Sequence, residues 1–378
     1  MSSDYVLTVR NANRVRVGEI DDFRRFEALV RFCKMGHWLL EVPADSDAAD
    51  LLTWTSGIIL LRGTEVVMSG EILLRRYIWN KDEFVLIVAG ADDQVWIEDR
   101  LALPVPSGPP YDAAAYDVRT GPAETVMRAY VNVNAGPGAT AARQVAGLTL
   151  APDQARGSNV TGRARFSPLG DLLRGLAIGG GDLGWRVVQS GANLEFQVYQ
   201  PMDKRALVKF SPELGNLASY DYTEEASKAN CVYCGGSGEG TARVIREGSD
   251  AAAIARYGRR IEMFRDRRDT SDAAELDQTI GEELAENAAR RELSIEPVDT
   301  EAVSFWSDYY LGDLVTLVTH GGVIEEKIRE VRFRMDGQEG VNVTPSVLSP
   351  NNESRDLYAG LFDQVRRLSA RIGQLERR

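Results

Sequence analysis

The sequence predicts a β-rich α+β protein with two β-barrel-like domains, an inserted α+β region and a C-terminal coiled-coil helix. Three observations carry that expectation. Short β-prone runs follow one another closely through residues 5–88, similar runs return at 314–333, and the C-terminal end carries an apolar repeat whose spacing alternates between three and four.

The first runs, at 5–9, 14–20 and 38–42, are rich in Val and Leu, and turn residues at Asn11, Asn13 and Gly36 separate them. Runs at 58–61, 66–68 and 84–88 continue the pattern, and strands this short and frequent suit a sandwich or barrel. Pro104, Pro106, Pro109 and Pro110 then interrupt it, because proline has no amide hydrogen to give a sheet ladder. Residues 1–106 are therefore expected to form the first barrel domain. Residues 110–225 read as an α+β domain, with helices at 121–130 (Pro122 in the first turn) and 168–177, then strands at 185–188, 194–198 and 207–210.

Residues 226–348 are expected to form the second barrel domain around an inserted amphipathic helix at 272–291. Leu276, Ile280, Leu284 and Ala288 lie four apart there, and Asp272 with Glu275 has the spacing of an N-cap and its N3 partner. Strands at 314–319 and 328–333, split by Gly321 and Gly322, complete that unit. In 353–378, Tyr358, Leu361, Val365, Leu368, Ile372 and Leu375 fall on the a and d positions of three short heptads. Such a stripe either docks a helix on its own core or joins copies. Its terminal position after the loop at 349–352, with polar residues at most other positions, favours self-association.

At 378 residues the chain has room for two or three domains of roughly 150 residues each. Hydrophobic residues at 44% and charged residues at 26% are ordinary for a globular protein, which argues against wholesale disorder. No apolar run approaches the ~20 residues of a spanning helix, and the N-terminus lacks the basic and apolar regions of a secretory signal. No membrane insertion is expected, and assembly is expected in the cytoplasm. The net charge of −12 argues against a surface that coats nucleic acid, since such surfaces draw affinity from Lys and Arg on phosphates.

A hydrolase built on a His base or a His-held metal would have to use His37 or His320, the two histidines of the chain. Cys231 and Cys234 have the C-x-x-C spacing of redox dithiols and zinc knuckles. Cys33 and His37 would complete a four-ligand set only by bridging two β-rich units. A redox pair should cap a helix, whereas glycines follow Cys234, so both thiols read as small apolar strand residues. Gly179, Gly181 and Gly184 match G-x-G-x-x-G. They follow a helix and open a strand, however, the reverse of a dinucleotide fingerprint, so a helix-to-strand turn is expected. The glycines at 235–240 lack the Lys-Ser/Thr ending of a P-loop and read as a loop or hairpin tip. The acidic neighbours Glu224 and Glu225, Glu282 and Glu283, and Glu325 and Glu326 point apart on a regular element, whereas glycoside hydrolysis needs two carboxyls that converge. The expectation is a protein without catalytic residues, metal or cofactor.

Residues 32–43, 57–62, 67–70, 121–131 with Asn134, Phe210 with 215–217, 230–236 and 310–316 follow one another in an order that resembles the minor tail protein family of actinobacterial siphophages. That family lies within the broader class of baseplate hubs and tail-associated lysins, and the resemblance runs to about residue 348. It implies a hub in which the two barrels of each subunit join those of two others in a pseudo-sixfold ring beneath the tail tube. The implied partners are further copies of the chain as a homotrimer, the distal tail protein, the tape-measure protein and other tail-tip proteins. DNA would pass through without specific binding, and the location would be the virion tail tip. Within the second barrel the resemblance assigns a turn to Gly312 and Asp313. From Leu314 and Val315 through Val318, side chains would alternate into and out of the wall. Two rivals come from other classes. A tail-tip enzyme acting on cell-wall polymer would need a convergent acidic pair or a metal site, and a carbohydrate-binding receptor module would need exposed aromatics gathered on one face.

Overall fold

The computed structural model describes residues 5–217, 219–296, 303–336 and 340–347, and the heptad residues Tyr358, Leu361, Val365, Leu368, Ile372 and Leu375 lie outside them. Among the described residues, strands account for 44% and helices for 17%, so the β-rich expectation holds. The N-terminal part contributes strands β1 (Tyr5–Arg10), β2 (Arg16–Ile20), β3 (Arg25–Arg31), β4 (Lys34–Pro43), β5 (Gly57–Arg62), β6 (Glu65–Trp79) and β7 (Phe84–Asp92). Two short helices, α1 (Asp47–Leu51) and α2 (Val95–Glu98), sit among and after them. Gly36, expected in a turn, lies inside β4. The turn falls instead at Phe32 and Cys33, where Cys33 takes a positive φ of 55°.

The central part holds β8 (Leu101–Ala102), β9 (Asp117–Pro122), α3 (Ala123–Asn134), β10 (Leu148–Leu150), β11 (Asn159–Ala164), β12 (Ser167–Pro168), α4 (Leu169–Gly179), β13 (Gly184–Ser190), β14 (Asn193–Tyr199) and β15 (Lys209–Phe210). Pro122, expected in the first helical turn, ends β9 and sits at the N-cap of α3 with an extended ψ of 138°. Next come β16 (Ser219–Glu225), β17 (Cys231–Gly235), β18 (Ile245–Ser249), α5 (Ala251–Tyr257), β19 (Glu262–Asp266), α6 (Ala273–Glu286) and β20 (Arg290–Glu296). Asp272 caps α6 as expected, its carboxylate accepting the Ala274 and Glu275 amides at 2.8 and 3.2 Å. The helix stops short of the expected residue 291 because Asn287 closes it, its side-chain amide donating to the Glu283 carbonyl at 2.9 Å. The next residues belong to β20, paired with β16. The chain ends its described part with β21 (Leu314–Thr319), β22 (Gly322–Lys327), β23 (Glu330–Asp336) and β24 (Gly340–Val347).

Eleven strands form one sheet, in the order β16-β20-β24-β23-β3-β4-β7-β6-β5-β1-β2, curled into a half-barrel. Every neighbouring pair in it is antiparallel. Bulges between Leu60 and Leu61 and between Ile72 and Leu74 add local twist, which is how a long sheet is made to curl. Close packing on the inner face demands a missing side chain at Gly90, where a Cβ would stand 2.5 Å from the indole of Trp38. The seam of the sheet is the pairing of β3 with β23, which brings the two ends of the sequence side by side from Arg31 opposite Glu330 to Arg25 opposite Asp336. One main core serves this sheet and the central part together, from Leu7 and Trp38 through Tyr130 and Trp185 to Phe333. A separate small core of Val232, Cys234, Leu276 and Ile280 lies between the β18-β17-β19 sheet and α6.

Candidate assembly surface

The largest sheet is bonded to the central part through a buried ion cluster that begins with Arg10 at the end of β1. Its guanidinium, 1% exposed, donates to both oxygens of Asp93 at 2.8 and 2.5 Å, to Glu71 at 2.8 Å and to the Gln189 side-chain oxygen of β13 at 2.6 Å. Gln189 in turn donates to the carbonyls of Arg14 and Gly191. Burial raises the Glu71 carboxyl above its ordinary range, opposed by Arg10. A buried charge persists only when paired and hydrogen-bonded, and this cluster meets that condition while clamping β13 to β1. Asp92, next to it, is buried and accepts the Gly36 amide at 2.8 Å and the Gln94 amide at 3.1 Å. Desolvation nevertheless pushes its carboxyl up to about 7.

The segment from Gly312 to Val318 lies where the resemblance placed a turn and a strand. Gly312 has φ +90°, and a Cβ there would collide with the Phe32 ring and stand 2.9 Å from Pro201, so conformation and space both require glycine. Asp313, 3% exposed, accepts the amides of Met202 at 2.7 Å and Tyr310 at 2.9 Å. In β21, Val315 and Leu317 are buried, while Leu314 and Val318 are half-buried. Thr316, between Val315 and Leu317, is also buried, its hydroxyl donating to the Arg205 carbonyl at 3.1 Å, so the buried apolar positions are the odd ones and Leu314 is the half-buried first residue of the strand. Ahead of this strand, Phe305, Trp306, Tyr309 and Tyr310 form a contiguous aromatic group. Tyr310 accepts a hydrogen bond from Arg186 of β13 at 2.5 Å, and the Arg186 guanidinium lies 5.0 Å from that ring's centre.

Among the exposed apolar side chains, four lie together on the long β6–β7 hairpin. Leu73, Tyr77, Trp79 and Phe84 are all exposed, Trp79 by 75%. Trp79 lies opposite Phe84, and Tyr77 opposite Leu86, so these side chains share one face, with Tyr77 and Phe84 stacked at 6.1 Å. The hairpin is therefore an arm whose aromatic face continues the core face of β7 past the edge of the body. No periodicity distinguished it, because β6 alternates like any strand. Its length, 15 residues where strands usually span five or six, is set by pairing with β7, and the sequence marked only its start at 66–68.

The thiols sit as the strand reading expected. Cys231 and Cys234 lie in β17, fully buried, but three residues apart on a strand they face opposite ways. Cys234 packs in the small core, whereas Cys231 contacts the Arg260 guanidinium on the other face. Burial raises both thiols, which opposes thiolate formation. Cys33 is in the main core, where burial pushes it up to about 12. Among the described residues, no group of three or more His, Cys, Asp or Glu side chains is placed to hold a metal. No described helix is long and apolar enough to cross a membrane. Gly179, Gly180 and Gly181 end α4 and lead into β13, the helix-to-strand turn that was expected.

This architecture, a curled antiparallel sheet with a central α+β part and projecting elements, recurs in solved tail proteins. The tail protein of Neisseria meningitidis MC58 superposes with a TM-score of 0.59 at 14% identity, over 92% of this chain and 97% of that one. The 43 kDa tail protein of prophage MuSo2 from Shewanella oneidensis gives 0.60 at 12% identity, over 92% and 98%. Prophage tail protein gp18 of Listeria monocytogenes EGD-e gives 0.54 at 12% identity, over 96% and 99%. Among curated proteins nothing matches. The fold is that of phage tail proteins. The chain itself belongs to the family of siphovirus ReqiPepy6 Gp37-like proteins, which it matches over residues 6–347. It is a phage tail or baseplate-like structural protein.

Proposed function

We propose that this chain is a hub subunit of the phage tail tip, three copies of which close into a ring that extends the tail tube. The observation that supports this reading most is the aromatic arm of β6 and β7, free on a chain of a tail-protein family. Tyr and Trp are the residues that interfaces favour, and 75% exposure of Trp79 is costly unless something covers it. In the ring the arm packs on the next copy. The heptad stripe of Tyr358, Leu361, Val365, Leu368, Ile372 and Leu375 meets its counterparts on the threefold axis, and distal tail and tape-measure proteins bind above and within. The number three comes from family resemblance, since β-branched a positions with Leu at d lean towards two strands in a free parallel coil. The net charge of −12 suits a bore through which DNA slides without sticking.

Light scattering on the full-length protein tests this. A trimer at high concentration is expected, with Trp79→Ala and truncation after Pro350 each lowering its association while the thermal melt of the body stays cooperative. A full-length protein that remains monomeric or dimeric would refute the hub reading. Salt-dependent binding of duplex DNA near physiological ionic strength would refute the non-sticking bore.

A further inference from the structure

Residues 226–289 hang on the paired strands β16 and β20, which enter and leave this unit side by side with Glu225 opposite Arg290. At the base of this stalk Glu224 accepts hydrogen bonds from Arg256 at 2.8 Å and Tyr257 at 2.7 Å, so α5 is tied to the stalk itself. The unit has its own core, in which Val232, Cys234, Leu276 and Ile280 are packed by Met263 and Leu284, and none of these belongs to the main core. Sharing no core with the body, it is joined to it on the far side of α6 by polar contacts.

Those contacts fall on α4 and β11. Arg163 donates to both oxygens of Glu275 at 2.8 Å. Gln278 accepts the Thr161 amide at 3.1 Å and donates to the Thr161 carbonyl at 3.3 Å, so it caps the strand edge that β9 leaves free. On α4, Gly175 and Gly179 face Glu282 and Gln278 at a distance where even a Cβ would make only ordinary contact, 3.9 Å from either, so the two helices are not tightly interlocked. Alongside runs a cleft of about 340 Å³ whose walls carry Arg165, Arg267, Asp269 and Glu282. An apolar joint of this size would resist opening. A polar joint beside an open cleft exchanges its hydrogen bonds for water at modest net cost. The seam between α6 and the α4–β11 surface is thus polar, and neither flanking core contributes a residue to its hydrogen bonds.

We propose that residues 226–289 form an appendage that undocks from the body as a rigid unit, pivoting on the β16–β20 stalk, with Arg163, Glu275, Gln278 and the Thr161 backbone as its latch. Undocking frees one edge of β11 and opens the cleft, while β17 and its core stay folded.

Hydrogen exchange on the full chain tests the latch at the Thr161 amide, with the amides of β17 as the internal reference. In Glu275→Arg and in Gln278→Ala, exchange at Thr161 is expected to quicken by roughly tenfold or more while β17 keeps its protection. The swapped pair Arg163→Glu with Glu275→Arg is expected to restore slow exchange at Thr161. Loss of protection in β17 together with Thr161 would mean unfolding rather than undocking and would overturn the proposal. So would an unchanged Thr161 amide, or a swapped pair that fails to restore it. The trimer measurement plays no part in this test, so the two readings fail separately.

Discussion

Replacing Asp93 with alanine is expected to lower the melting temperature of the full chain more than any single change at an exposed ion pair. The side chains of Arg10 and Asp93 are 1% and 0% exposed, and the carboxylate holds both terminal nitrogens of the guanidinium. Without it the cation keeps Glu71 and Gln189 but loses the partner that neutralises it most closely. Breaking a buried pair from one side costs about 3–5 kcal/mol, and Glu71, 21% exposed, places this case at the lower end. At ~2–4 °C per kcal/mol for a body of this size, a cost of about 3 kcal/mol lowers the midpoint by roughly 6–12 °C. Circular dichroism melts at fixed scan rate read this, with Asp277→Ala, opposite Arg246 at the surface, as the control expected to leave the midpoint in place. Arg10→Met combined with Asp93→Leu and Glu71→Gln removes the three charges together and is expected to recover most of the loss. The reasoning is refuted if Asp93→Ala melts with the wild type, or if the triple variant is no more stable than Asp93→Ala alone.

Three further outcomes are expected. Val315→Asp, which buries an unpaired carboxylate at a 2%-exposed position, should abolish the folded circular-dichroism signal at temperatures where Leu314→Asp, at the half-buried first residue of the strand, retains it; equal loss would contradict the assigned inward face. Asp92, raised from 3.8 to about 7 by burial, binds its proton more tightly folded than unfolded. Its contribution is therefore greatest at low pH and is lost as pH rises through about 7, so Asp92→Asn should flatten the pH dependence of denaturant midpoints between those values, and an unaltered slope would count against it. Elemental analysis should find no stoichiometric zinc, and about one zinc per chain lost on Cys234→Ser would show that the opposed faces of Cys231 and Cys234 do not hold in solution.

Elements whose evidence is local were legible in the sequence. Asp272 announced the start of α6 because a cap is decided within three residues, and the glycines after α4 announced a turn because they stand between a helical and a strand pattern. Gly312 was placed in a turn by resemblance, and its positive φ and the Phe32 ring beside it give the physical reason. What escaped were the facts set by distant pairing. The run at 288–291 continues the helical spacing of α6, yet β16 claims the residues from Arg290 as a ladder partner, and tertiary pairing outweighs a four-residue period. β22 escaped because Gly322, Glu325, Glu326 and Lys327 are poor strand formers, held by the hairpin with β21. The buried cluster escaped for a stronger reason. Arg10, Glu71, Asp93 and Gln189 are scattered over 180 residues, and nothing near any of them marks it as interior.

The pairing of β3 with β23 decides which parts of the molecule are free to serve assembly. Arg31 and Glu330, both 7% exposed, form an ion pair at 2.9 Å across that seam, and Phe333 packs edge-on against Tyr5 behind it. These contacts, the ion pair bridging 299 residues of sequence, make the N-terminal strands and the last described strands one wall. Such long-range antiparallel closure is slow to form, and the chain must have brought its late strands home before the wall exists. Once it exists, the wall, the Arg10 cluster and the aromatic group around Tyr310 share a single core, so displacing any one of them disturbs the others. Two features escape that constraint: the tip of the β6–β7 arm, whose aromatic face runs beyond the core, and the unit at 226–289, whose core is its own. A rigid wall with attachments whose contacts are independent of it is what the proposed assembly and undocking would both require. The division of cores makes the curled sheet the wall and leaves the arm and the appendage outside its constraint.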